Sequence, residues 1–137
     1  MTSIALVACV SKKLDRPAPA ADLYQSAWFR KVRRYVELMG WPWYILSAKY
    51  GLVHPDTILE PYDVTLIKLT RDERLEWVNR VYVQSMATIG MQTDHGPLIF
   101  FAGQLYRANL VRHLSDRYEI RVPMAGLGIG QQLAWLD

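Results

Sequence analysis

The sequence predicts a three-layer α/β fold, with a mostly parallel central sheet of about four strands and helices on both faces. Short, almost wholly apolar runs recur along the chain, amphipathic segments of helical period separate them, and glycine or proline ends nearly every run. A strand that is apolar on both sides is one buried inside a parallel sheet. Its regular alternation with helix is the signature of α/β architecture.

The first strand is Ser3–Val10, which breaks into the polar, proline-rich loop Ser11–Pro19, where helix cannot persist. A helix follows over Ala27–Met39: Trp28, Val32, Tyr35, Val36 and Met39 recur at helical spacing, and Gly40 ends it. The second strand, Trp43–Ser47, gives way to a loop over Ala48–Asp56 and an irregular stretch, Glu60–Asp63. Thr70 with Glu73 is a capping-box signature for a long helix, striped by Leu75, Trp77, Val78, Val81, Tyr82, Met86 and Ile89. The third strand is Leu98–Ala102, closed by Gly103, and a helix covers Leu105–Leu114. The fourth strand, Glu119–Val122, precedes Pro123, the glycine-rich stretch 126–130 and a closing helix, Gln131–Leu136.

The 137 residues form a single α/β domain, 1–137, without repeat, linker or low-complexity segment. With 51% hydrophobic and 21% charged residues the chain is not of the disordered class. One cysteine, Cys9, excludes an internal disulfide and fits a reducing compartment. The run Ile4–Ala8 is too short to span a bilayer and lacks a basic flank before it. The expectation is a cytoplasmic protein with no membrane partner.

The net charge of +3 is unevenly spread: Lys12, Lys13, Arg16, Arg30, Lys31, Arg33 and Arg34 face only Asp15 and Asp22 over that stretch. Such an excess attracts phosphate-bearing partners over a Debye length, roughly 8–10 Å in physiological salt. Arg30, Arg33 and Arg34 are the candidates for nucleic-acid phosphates. The bland alternative is a solvated helix face.

In open parallel sheets, ligands sit in the crevice beyond the carboxyl ends of the strands. Every strand here is followed by residues that a mere connector does not require: Ser11, Lys12 and Lys13; Ser47, Lys49, Tyr50 and Gly51; Gly103, Gln104 and Tyr106; and the glycines at 126, 128 and 130 with Gln131. If the strands are parallel, these loops gather on one rim. A lysine there binds phosphate or carboxylate as a point charge, or serves as base or amine nucleophile when desolvated. Glu60 and Asp63 flank Pro61-Tyr62, a rigid and partly apolar setting that would suit a carboxyl group handling protons, although Asp63 equally suits a turn cap. Gly126 and Gly128 could cradle a phosphate through backbone N–H groups or simply allow close helix packing. Cys9 inside an apolar strand reads as a small hydrophobe.

His54, His95 and His113 have no metal-ligand spacing with one another or with Cys9, and no nucleophile elbow is present. The sequence calls for no metal and no cofactor.

The stretch from Ile45 to Leu66, with Leu46-Ser47, Tyr50-Gly51-Leu52, Pro55, Ile58 and Pro61-Tyr62, resembles a block of the YaaA-type peroxide-stress protein family. The opening Cys9…Ser11-Lys12-Lys13 is similar in placement to that family's lysine loop, without its Pro and Thr. A group of small bacterial and phage proteins is similar over nearly the whole chain, through the early lysine loop, Pro19-Ala20, Leu23-Tyr24 and the ending Gly126–Leu136. The opening loop is also similar to a lysine-containing loop of an archaeosine synthase domain. The resemblance implies an α/β relative of proteins associated with DNA binding and oxidative damage. Its matching positions here are Lys12, Ser47, Tyr50, Gly51, Pro55, Pro61 and Tyr62.

These readings converge on an enzyme acting on a nucleotide, nucleoside or nucleic-acid base, by glycosidic-bond or base-modification chemistry. Lys12, Asp63 and Glu60 are its expected catalytic residues. Ser11, Lys13, Ser47, Tyr50, Gly51, Tyr62, Gly103, Tyr106, Gly126, Gly128 and Gln131 are expected to bind substrate, with the rings stacking on a base. The alternative is a non-catalytic nucleic-acid-binding protein of the stress response. Trp41, Trp43 and Trp135, near element ends, suit either core or a homo-oligomer interface.

Overall fold

In the computed structural model, which describes residues 2–90 and 95–137, strand β1 (Thr2–Ala8) runs through the middle of the protein. Ile4 to Ala8 are all at most 5% exposed, as the unbroken apolar run requires. The chain continues through β2 (Ala18–Pro19), the single-turn α1 (Ala20–Leu23), α2 (Ala27–Leu38), β3 (Trp43–Ser47), β4 (Gly51–Val53) and β5 (Ile58–Leu59). A 3₁₀ turn (Leu66–Lys68), α3 (Arg71–Thr88), β6 (His95–Phe101), α4 (Gln104–Leu114), β7 (Ile120–Arg121) and α5 (Ile129–Leu136) complete it.

The sheet has five strands in the order β4-β3-β1-β6-β7. The pairs β1–β3, β1–β6 and β6–β7 are parallel, and β4 runs antiparallel to β3 at one edge. The three-layer architecture follows from crossover handedness. The chain passes from β1 to β3 in one direction, then over β1 to β6 and on to β7 in the other. Right-handed connections therefore put α2 on one face and α3 and α4 on the opposite one. α3 packs against α4, and α5 joins α2.

Two local features were not expected. The stretch Ala48–Asp56 is not wholly loop: it turns at Gly51, whose φ is 79°, and returns along β3 as β4, pairing Ser47 with Gly51 and Ile45 with Val53. Three residues paired on one side give no apolar alternation long enough to read. The closing helix starts two residues before Gln131, with Gly128 as its N-cap, so Gly130 belongs to its first turn. The Thr70 capping box is present in full: Thr70 Oγ1 accepts from the Glu73 amide and Glu73 Oε1 accepts from the Thr70 amide.

A second, two-stranded ribbon pairs Ala18 with Leu59 and Pro19 with Ile58. It ties the loop after β1 to the segment after β4 and so delivers residues 60–67 across the sheet's carboxyl end. No helix among the described residues is long and apolar enough to cross a membrane.

Candidate functional site

Register fixes which strand-end residues meet. Ala8 pairs with Leu46, and Val7 with both Ile45 and Phe101, so Cys9, Ser47 and Gly103 stand level on one rim. The strand order reverses at β1, the first strand in the chain, and the crevice beside it, toward β6, is where an open sheet leaves room for a ligand. A cleft of about 210 Å³ occupies that place. Cys9, Ser11 and Lys13 from the loop after β1, Thr65 and Ile67 from the 3₁₀ turn, and Leu105 and Tyr106 from α4 are among its lining residues.

Behind it lies a hydroxyl network. Ser47 Oγ accepts from the amides of Tyr50 (3.0 Å) and Lys49 (3.3 Å), and lies 2.7 Å from Tyr62 Oη, which lies 2.6 Å from Tyr24 Oη. A hydroxyl has one hydrogen and two lone pairs. With both Ser47 lone pairs occupied, its hydrogen goes to Tyr62 and the Tyr62 hydrogen goes to Tyr24. Burial raises the pKa of Tyr24, Tyr62 and Tyr106 well above the usual phenol value, so all three remain protonated donors at neutral pH. Tyr106 Oη shares a hydrogen bond with Cys9 Sγ at 3.2 Å, and the Tyr106 ring packs edge-on to Trp77, whose Nε1 donates to Ser47 O at 2.8 Å.

Lys13, rather than Lys12, faces this network. The Lys13 backbone forms an isolated antiparallel bridge with Tyr24, held by Leu14 N to Leu23 O and Gln25 N to Lys12 O. Alternation along an extended segment turns successive side chains to opposite sides. Lys12 is accordingly exposed, whereas Lys13 Nζ lies 4.3 Å from the Tyr62 ring centroid and 5.7 Å from that of Tyr24, and donates to Ser11 O. Burial lowers the Lys13 pKa, opposed by nearby Cys9 and Asp63. Asp63 is exposed and makes no ion pair with Lys13; Glu60 is exposed on the same segment.

The structure therefore brings Ser11, Lys13, Ser47, Tyr50, Tyr62 and Tyr106 together, with Tyr50 and Tyr62 rings 5.6 Å apart. Gly51 supports them through its turn. Gly103, Gly126 and Gly128 line a different cavity, of about 420 Å³, beyond β6 and β7. Gln131 lines neither cavity, and its Oε1 accepts from the Gly128 amide. The expected single hollow is thus two. The α2 cations are largely paired within the protein: Arg33 with Asp22 and Glu37, Arg34 with the Leu136 carbonyl and Asp137, Lys31 with Asp137, while Arg30 reaches only Gln25 among the described residues.

Three residues of the site had weak or no sequence signal. Cys9 was indistinguishable from a core residue, and Tyr24 stood out only within the Leu23-Tyr24 pair. Thr65 lines the cleft with a buried hydroxyl that has no hydrogen-bond partner among the described residues. His54 lies in the turn after β4, where its Nδ1 accepts from the Asp56 amide; the His95 side chain lies outside the described residues. Among the described residues no group of three or more His, Cys, Asp or Glu is placed to hold a metal ion.

A family model described as "Family of unknown function (DUF6884)" matches residues 4–137, and the chain belongs to that family. It is similar to the uncharacterized protein YfjM of Bacillus subtilis (strain 168), with 27% identity over 151 aligned positions covering 100% of this chain and 94% of the relative. No solved structure matches the chain.

Proposed function

We propose that this member of the DUF6884 family is an enzyme acting on a nucleotide, nucleoside or nucleic-acid base, with Lys13 as its reactive amine. The observation that carries the reading is the placement of a partly desolvated lysine in a cleft at the sheet's topological switch point, with Tyr106 in the same lining and the Tyr62 ring 4.3 Å from the amine. Desolvation increases the neutral fraction of an amine, which is what a nucleophile or base requires. Tyr106 offers a hydroxyl and a ring to a base or sugar, and Thr65, whose buried hydroxyl has no partner among the described residues, lines the same cleft. The negative charge of Asp63 partly offsets the desolvation of Lys13. The resemblance to YaaA-type proteins supports the nucleic-acid side of this reading. The non-catalytic alternative loses its expected anchor, because Arg33 and Arg34 are engaged within the protein.

The test is product detection by mass spectrometry from a panel of nucleosides, nucleotides and oligonucleotides. The wild-type chain is expected to convert at least one, and Lys13→Met, which keeps most of the aliphatic stem, to convert none while melting like the wild type. Absence of binding and of product across the whole panel contradicts the proposal.

A further inference from the structure

We infer that the cleft takes its substrate as part of a single-stranded nucleic acid, whose phosphates run along an arginine-lined groove between α3 and α4. This deepens, and rests on, the reading of the cleft given above. The groove encloses about 790 Å³ and meets the cleft at Leu105, which lines both. Arg71 and Arg74 on the first turn of α3 and Arg112 on the last turn of α4 contribute to its walls, with Leu75 and Leu105, 42% and 40% exposed, between them. None of the three guanidinium groups has an ion-pair partner among the described residues. Of the three acids of α3, Glu73 and Glu76 line a separate depression with Lys49 and Arg80, and Asp72 is exposed in the first turn without lining the groove. The groove lining thus holds three positive charges and no negative one.

Size argues for a polymer. At about 210 Å³ the cleft is smaller than the pockets of roughly 300–1,000 Å³ that enclose whole drug-sized ligands. It accommodates a base or a sugar and leaves the phosphate-bearing remainder outside, where the adjoining surface is the groove. Arginine forks match phosphate oxygens in a way that needs no base recognition. A duplex keeps its bases stacked and must flip one to reach an enclosed site, whereas a single strand presents them freely. An acidic amphipathic helix would answer the same charge but would leave the cleft without an occupant.

Fluorescence anisotropy of labelled single-stranded oligonucleotides of increasing length, of the matching duplex and of an acidic amphipathic peptide tests this on the full chain and on R71A/R74A/R112A. Melting curves establish that the variant folds. Affinity is expected to rise with strand length. The triple variant is expected to lose about tenfold or more in affinity, with the log–log salt slope shallower by about 2, at roughly 0.7 per single-strand phosphate contact. Strand binding that the variant leaves untouched, or tighter binding of duplex or peptide than of single strand, overturns the inference. Strand binding through the groove by a protein that neither binds nor converts any nucleotide unit would count against the cleft reading instead, so the two failures are told apart.

Discussion

At Ser47 one hydroxyl oxygen takes hydrogens from two backbone amides and passes its own to Tyr62, so this residue holds both the β3–β4 turn and the tyrosine network beside the cleft. Ser47 is fully buried, and removing its oxygen takes the acceptor from the part-buried Lys49 and Tyr50 amides and the partner from Tyr62. Ser47→Ala is expected to destabilise the fold by about 1–3 kcal/mol, measured by urea denaturation. The tyrosines give a pH dependence of definite sign. Their folded-state pKa values are raised, so above about 10, where the unfolded phenols ionise, the folded chain binds more protons and stability falls as pH rises. Tyr62→Phe is expected to make that alkaline fall shallower. Lys13 acts in the opposite direction: its lowered pKa lets stability rise with pH between that value and the ordinary lysine range. At this scale the sequence marked the loop but not which of its two adjacent lysines faces the cleft, because only the bridge to Tyr24 decides which turns inward.

Among the elements, helices with strong end signals were legible. The Thr70–Glu73 box starts α3 where the sequence placed it, and Thr70→Ala is expected to cost about 1 kcal/mol in thermal or urea unfolding. Strand β4 was not legible, since its three residues show no period and its identity depends on pairing with β3. Its turn needs Gly51 for two reasons. The backbone is at φ 79°, and a Cβ there would collide with the Gln84 amide, which accepts from Leu52 N at 2.8 Å and donates to Tyr50 O at 3.1 Å. Gly51→Ala is therefore expected to destabilise by more than about 1 kcal/mol, read from the shift of the urea midpoint, and Gln84→Ala to relieve only the steric part.

For the whole molecule, apolar runs alternating with helices gave the layer architecture, because burial on both faces of a strand leaves a direct trace in composition. The gathering of the strand-end loops after β1 and β3 on one rim followed from the same premise. The site's division did not, because sequence cannot tell which side of α4 the closing glycines occupy; they line a cavity beyond β6 and β7, whereas Lys13 and the tyrosines stand at β1. The strand order, reversing at the central β1, puts the Lys13 cleft where an open parallel sheet leaves room for a ligand. The most direct measurement compares Lys13→Met with Lys12→Met in turnover of whichever nucleic-acid component the wild type converts. Loss of product with Lys13→Met and its retention with Lys12→Met is the result predicted here. Turnover that survives Lys13→Met but disappears with Lys12→Met would contradict it.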